Sequence, residues 1–169
     1  MHAYRLAIAL LFVQSYIVSA EPAPAPPTLD YDVYIVGSAT KVWDALTVKE
    51  QVDQYSMCPQ QRCELRVGGA IAYGTPARTL LQGKILALTE NSHIRYTLAM
   101  TDGVVTTVDI QVEPVTPAVT HLTLEQTSAA WTEKDQADYR DGWPIILSGL
   151  KTLIETGKPI PWKAGSPAP

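Results

Sequence analysis

The two cysteines are the most reactive side chains of the chain, and their spacing limits the chemistry open to them. Cys58 and Cys63 have four residues between them, whereas dithiol redox catalysts use the tighter Cys-x-x-Cys spacing. A metal site would need further ligands, and neither His93 nor His121 has a Cys or His at ligand spacing. In an oxidising compartment two such cysteines can close a small loop. We therefore expect a disulfide between Cys58 and Cys63, no metal and no cofactor.

Carboxylates suited to proton transfer occur on predicted strands, but on the face that should meet solvent. Asp109 and Glu125 would be candidates for an acid/base pair, which requires carboxylates that face a pocket. Both alternate with apolar residues, and the two-residue period of a strand places them on the outer face. His93 and His121 fail the same test. No Ser nucleophile elbow, phosphate loop or zinc-helix motif occurs, so no catalytic residue is predicted.

Three other polar residues on predicted strands have two possible roles each. Gln126 shares the apolar face of its strand with Leu122 and Leu124. A buried amide must find hydrogen-bond partners, so Gln126 would either orient a ligand or bond to the backbone. Arg66 and Arg95 would either meet a carboxylate ligand in a cavity or form exposed ion pairs, and we expect the ion pairs.

The elements that must position these residues follow from periodicity and turn signals. Residues 31–36 alternate as a first strand, Ser38 caps a first helix, and residues 48–55 form a second short helix. A meander of six strands follows, predicted at residues 64–67, 70–74, 80–88, 93–100, 104–114 and 121–128.

A long last helix covers the apolar face of this predicted sheet. Trp143, Leu147, Leu150 and Ile154 recur at helical spacing. Pro144 fits best in a first turn, so the helix is expected to begin near residue 141 and to end at residue 157. A sheet with one apolar face and helices gathered on that face is an α+β architecture.

The two ends of the chain read as segments outside the folded domain. Arg5, an apolar run at residues 6–13 and small residues at 18–20 follow the order of a signal peptide. The apolar run is shorter than the about 20 residues that span a bilayer, although an uncleaved membrane anchor is the alternative. We expect a signal peptide at residues 1–20, a Pro-rich linker at 21–28, a domain at 29–158 and a flexible tail at 159–169.

Composition narrows the possible partners of an exported chain of this kind. The chain has a formal net charge of −4 and no cluster of Lys or Arg, so a nucleic acid is not an expected partner. Membrane contact is expected only if the signal segment stays uncleaved. The predicted location is the periplasm or the outside of the cell.

Several short segments resemble the Hsp90-ATPase-activator-like branch of the START/Bet v 1 (SRPBCC) superfamily. Residues 42–47 (VWDALT) resemble its first helix, 64–69 (ELRVGG) its strand and double-glycine turn, and 83–86 (GKIL) its next strand. Residues 142–144 (GWP), with the leucines after them, resemble the start of its last helix. The resemblance implies a helix-grip fold, in which a curved antiparallel sheet wraps around a long helix. A cavity commonly lies between the sheet and the helix. The superfamily has no single catalytic motif, so none is transferred.

Aromatic, sulfur-containing and aliphatic residues are the candidates for the wall of such a cavity. An apolar pocket with a few polar tips is one interpretation of them. A filled core is the other, especially for Trp43 and Trp143, which would anchor helices to the sheet. The candidate ligand-binding residues are Tyr55, Met57, Tyr73, Tyr96, Met100, Gln126, Trp131, Trp143 and Leu147.

The sequence therefore predicts an exported binding protein that holds a small apolar or amphipathic molecule in a helix-grip cavity. One alternative is a lyase or cyclase acting on such a molecule, since the superfamily includes such enzymes. Another is a protein-interaction module of the cell envelope. Cytosolic Hsp90 is not an expected partner because the chain is predicted to be exported.

Overall fold

The computed structural model describes residues 26–101 and 103–160. The predicted signal peptide (residues 1–20), residues 21–25 of the predicted linker and residues 161–169 of the predicted tail lie outside the described residues. Within them the chain forms seven strands and three helices: β1 (Thr28–Val36), α1 (Ala39–Thr47), α2 (Lys49–Tyr55), β2 (Gln60–Cys63), β3 (Ala70–Thr75), β4 (Arg78–Thr89), β5 (His93–Met100), β6 (Thr106–Thr116), β7 (Val119–Thr127) and α3 (Glu133–Thr156).

All seven strands belong to one antiparallel sheet with the order β1-β7-β6-β5-β4-β3-β2. The first and second strands therefore lie at opposite edges, and α1 and α2 carry the chain from one edge to the other. Helix α3 packs against β1, α1 and α2. The predicted α+β helix-grip architecture, with two short helices after the first strand, is confirmed.

The predicted alternation along the central strands is also confirmed. In β5 the buried positions are Ile94, Tyr96 and Leu98, and the residues between them are more exposed. Strands β6 and β7 repeat this pattern. Their apolar side chains face α1, α2 and α3 and form one core.

Helix α3 begins at Glu133, well before the predicted start near residue 141. Thr132 and Asp135 form a capping box: the Asp135 backbone N–H donates to Thr132 Oγ1 at 3.2 Å, and the Thr132 N–H donates to the Asp135 carboxylate at 2.9 Å. Pro144 therefore lies inside the helix, where its missing N–H leaves the carbonyl of Arg140 without a helical donor. The Tyr31 hydroxyl donates to that carbonyl at 3.1 Å, which satisfies it from β1.

The predicted strand at residues 64–67 was wrong. On the side away from β4, β3 pairs with β2 (Gln60–Cys63), and Cys63 lies opposite Ile71. Residues 64–69 instead form a tight turn, in which the Gly69 N–H donates to the Arg66 carbonyl at 2.8 Å. A Cβ on Gly69 would lie 2.0 Å from the Glu64 carbonyl oxygen, so the backbone approach in this turn requires glycine.

Among the described residues, none of the helices combines the length and the apolar character needed to cross a membrane.

Candidate functional site

A cavity of about 400 Å³ lies between the inner face of the sheet and the helices. Strands β3, β4 and β5 supply much of one wall, and α2, the segment after it and α3 supply the other. Most lining side chains are aliphatic or aromatic. The aliphatic part of the wall includes Val52, Ile71, Leu81, Ile94, Leu98, Ile110, Leu122, Leu147 and Leu150.

Most residues predicted for the wall are brought together around this cavity. Those that line it are Tyr55, Met57, Tyr73, Tyr96, Met100, Trp143 and Leu147. Gln126 and Trp131 are not among the lining residues. Contact between any of these side chains and a ligand stays a prediction.

Gln126 lies behind the cavity wall, in a line of hydrogen bonds that runs from Trp143 to the backbone of β5. The Trp143 Nε1–H donates to Gln126 Oε1 at 2.6 Å, and Gln126 Nε2 donates to the Thr106 hydroxyl at 2.7 Å. Thr106 in turn donates to the Leu98 carbonyl at 2.8 Å. Gln126 is fully buried, and both ends of its amide are occupied. Its bonds therefore hold the Trp143 ring in place, and contact between Gln126 and a ligand stays a prediction.

Trp131 also lies outside the wall, and it supports a residue that is part of it. Its ring stacks on Tyr139, with centroids 6.1 Å apart. Tyr139 is buried and lines the cavity. Trp43 is 4 % exposed, belongs to the core and does not line the cavity, which agrees with the anchoring role.

Four tyrosines, Tyr55, Tyr73, Tyr96 and Tyr139, are among the lining residues of the cavity. The Tyr55 hydroxyl donates to the Ala45 carbonyl at 2.9 Å. Burial raises the pKa of Tyr73 to about 12, and burial likewise raises the pKa of Tyr55 and that of Tyr96. These hydroxyls therefore stay protonated and neutral at physiological pH.

Both cysteines line the cavity, which the sequence did not suggest. The structure does not contain the predicted bond between Cys58 and Cys63. Burial raises the pKa of the Cys63 thiol, so it is a poor nucleophile at neutral pH. The disulfide stays a prediction for the exported protein.

Tyr139 is a lining residue that sequence reasoning missed. It stands four residues before Trp143 and eight before Leu147, so helical spacing could have found it. The first-turn preference of Pro144 predicts a helix that starts near residue 141, and Tyr139 lies outside that range.

The ionisable candidates lie away from the cavity. Asp109 is on the outer face, 2.9 Å from His93 Nε2 and 3.8 Å from Arg95, and it borders an open polar groove with Glu125. Arg66 pairs with Glu64 on the surface. The predicted outward direction of both carboxylates and the predicted ion pairing of both arginines are confirmed. Among the described residues, no three His, Cys, Asp or Glu side chains gather as metal ligands.

Comparison with known proteins identifies a matching family model and several solved structures with a similar fold. A family model for the Activator of Hsp90 ATPase homolog 1-like protein matches residues 37–155. No curated protein matches the chain.

Three solved structures illustrate the similarity in fold. Protein MLL2253 from Mesorhizobium loti is 21 % identical, with a TM-score of 0.65 over 75 % of this chain and 96 % of that one. The Aha1 dimer from Colwellia psychrerythraea is 22 % identical, with a TM-score of 0.65 over 78 % and 98 %. DynU16, from the dynemicin biosynthetic locus, is 18 % identical, with a TM-score of 0.69 over 80 % of this chain and 49 % of that one. The chain thus spans about half of DynU16, and similarity at this level shows a shared fold.

Proposed function

Because the chain belongs to the Activator of Hsp90 ATPase homolog 1-like family, whose model matches residues 37–155, we propose that it binds a small apolar or amphipathic molecule between sheet and helix. The observation that carries the proposal is the cavity of about 400 Å³ with its largely apolar wall. Pockets for small molecules commonly have about 300–1,000 Å³ and an apolar lining with a few polar groups.

A packing defect is a poor explanation for a space of this size. Protein interiors are packed as densely as organic crystals and hold few voids larger than a water molecule. The side chains around the cavity include four tyrosines, Trp143 and Met100. Side chains of this size could close the space by packing against each other, yet they leave it open. An apolar ligand would bury this surface and recover the lost contacts.

The polar groups of the wall favour binding over catalysis as the primary role. General acid/base chemistry at neutral pH needs groups whose pKa values lie near 7. Here burial moves the pKa values of Tyr73, Tyr96 and Cys63 upward. The lining carboxylates, Asp138 and Asp141, belong to exposed residues. A lyase or cyclase would have to use a neutral tyrosine hydroxyl as its acid.

We further propose that the domain works outside the cytoplasm, which would separate it from cytosolic Hsp90. The support is the order of charged, apolar and small residues in positions 1–20. Intact mass analysis of a periplasmic or secreted fraction should find a chain that begins at Glu21. Thiol titration of that material should find Cys58 and Cys63 oxidised. A full-length cytoplasmic product would contradict the export proposal but not the ligand proposal.

The ligand proposal is tested by filling the cavity. In a titration with the fluorescent probe 1-aminoanthracene, the wild-type protein should bind and Leu147→Trp should bind at least about tenfold more weakly, because the indole occupies the space. Ser148→Trp is the matched control, since Ser148 is the exposed neighbour on the same helix. Circular dichroism checks that both variants fold. Failure of the wild type to bind the probe or any lipid of a panel would overturn the proposal, as would equal binding by folded Leu147→Trp.

A further inference from the structure

Tyr96 is a cavity tyrosine with no hydrogen-bonding group of the protein close to its hydroxyl among the described residues. It lies in the middle of β5, opposite Ile85 and Val108 of the neighbouring strands, and is 6 % exposed. The ionisable groups close enough to affect the pKa of Tyr96 all line the cavity. They are Tyr73, Tyr55, Cys63 and Tyr139. The Tyr139 hydroxyl also makes no hydrogen bond among the described residues, but Thr106 and the Met100 backbone lie near it. Neither hydroxyl is bonded in the way of the Tyr55 hydroxyl, which donates to the Ala45 carbonyl.

The groups around the Tyr96 hydroxyl are all uncharged. The Tyr73 hydroxyl lies near the side chain of Gln60, and its pKa is raised to about 12 by burial. Burial also raises the pKa values of Cys63 and Tyr139. At neutral pH the interior therefore offers hydrogen-bond donors but no cation.

The charges that do border the cavity are negative. Asp138 and Asp141, on the N-terminal half of α3, are its only charged lining residues among those described. Asp138 pairs with Lys134 at 2.5 Å, and the Lys134 side chain is 81 % exposed. Arg66 and Arg95, the two arginines predicted either to meet a carboxylate ligand or to form ion pairs, point to solvent and pair with Glu64 and Asp109.

From this arrangement we propose that the cavity selects an uncharged molecule with an oxygen acceptor, such as a carbonyl, ester or ether, that accepts a hydrogen bond from Tyr96. The inference rests on the proposed function and narrows its ligand class. A carboxylate would lose its hydration without gaining a cation, and it would also pass the two aspartates. A neutral oxygen would instead accept a hydrogen bond from a donor that makes none within the described residues.

Matched aromatic probes test this selection. The methyl ester of 9-anthracenecarboxylic acid, the free carboxylate and 9-ethylanthracene have similar ring systems and differ in charge and in their acceptor. Each compound is added to protein with bound 1-aminoanthracene at neutral pH, and its affinity is measured from the displacement of that fluorescent probe. The proteins compared are the wild type, Tyr96→Phe and the control Tyr34→Phe. Tyr34 is 56 % exposed, so loss of its hydroxyl should change nothing in the cavity.

The wild type should bind the ester at least about tenfold more tightly than the carboxylate, because the charge is not compensated. Tyr96→Phe should weaken ester binding about fivefold, which corresponds to one net hydrogen bond, and should leave 9-ethylanthracene within about twofold. Equal binding of carboxylate and ester would overturn the inference, and so would equal losses of ester and hydrocarbon in Tyr96→Phe. In both cases ligand binding itself would stand. Absence of binding by every probe would instead remove the proposed function.

Discussion

The hydrogen-bond chain from Trp143 through Gln126 to Thr106 shows how single polar side chains hold the cavity wall. The Trp143 side chain has one polar atom, Nε1, whose N–H donates a hydrogen bond to Gln126 Oε1 at 2.6 Å inside the core. The alternation of side chains along β7 was enough to predict that Gln126 is buried. Its partners could not be predicted, because they lie 17 and 20 residues away in sequence, on α3 and β6.

Gln126→Leu should destabilise the fold by about 2 kcal/mol, since it strands the buried Trp143 N–H and removes one bond to Thr106. Urea denaturation measures the loss. Gln111→Leu is the matched control, because Gln111 is an exposed residue on the outer face of β6, and its change should stay within about 0.5 kcal/mol. Equal effects of the two substitutions would show that the hydrogen bonds from Trp143 through Gln126 to Thr106 do not stabilise the fold.

At the scale of elements, the position of α2 on α3 depends on a missing side chain. A Cβ on Gly149 would lie 2.9 Å from the Tyr55 Cβ and 3.3 Å from the Tyr55 carbonyl oxygen. Tyr55 ends α2 and lines the cavity. Close approach of the two helices thus sets the position of one cavity wall. A Cβ on Gly142, in the same helix, would meet only Met57 Sδ at 3.9 Å.

The two glycines should therefore respond to alanine in opposite ways. Gly149→Ala should cost about 1–2 kcal/mol, because the clash with the α2 backbone and Cβ exceeds the gain in helix propensity of up to about 1 kcal/mol. Gly142→Ala should be neutral or stabilising by up to about 1 kcal/mol, since 3.9 Å is an ordinary contact. Thermal unfolding of both variants measures the difference. Two substitutions of the same sign would mean that helix propensity, and not the contact with Tyr55, decides the outcome.

The sequence predicted the elements well where one physical signal acted alone. The alternation of β5, β6 and β7 placed their apolar faces correctly. The prediction failed where two signals competed: Pro144 indicated a helix start, but the Thr132–Asp135 capping box begins the helix earlier and Tyr31 satisfies the carbonyl that Pro144 leaves without a donor.

At the scale of the whole molecule, the cavity is the feature that sequence patterns could only suggest through a family resemblance. Periodicity identifies which side chains face inward, and it placed Tyr96 and Leu147 on inner faces. It cannot say whether those side chains meet or leave a space. That depends on the distance between the sheet and α3, which is set in part by contacts along the C-terminal half of the helix, such as those of Gly149 and Glu155.

The C-terminal end of α3 is tied to the first strand through Glu155, which joins the two ends of the domain. One oxygen of Glu155 accepts from the Val36 backbone N–H at 2.8 Å and from Lys151 Nζ at 2.5 Å. The Lys151 hydrogen bond, followed by that of the Val36 N–H, lowers the pKa of Glu155 below its ordinary 4.5. A carboxyl with a lowered folded pKa stabilises the fold fully above its unfolded pKa, and this contribution is lost as the pH falls through the folded pKa.

Glu155→Gln should therefore reduce stability near neutral pH, and the difference from wild type should shrink below about pH 4.5. Because the carboxylate is accessible to solvent, screening limits the expected loss to about 0.5–1 kcal/mol. Urea denaturation from about pH 7 to about pH 3 measures the profile, with Glu90→Gln, an exposed turn residue, as the control. A loss that is constant across this range, or one that grows as the pH falls, would show that the charge of Glu155 does not hold α3 to β1.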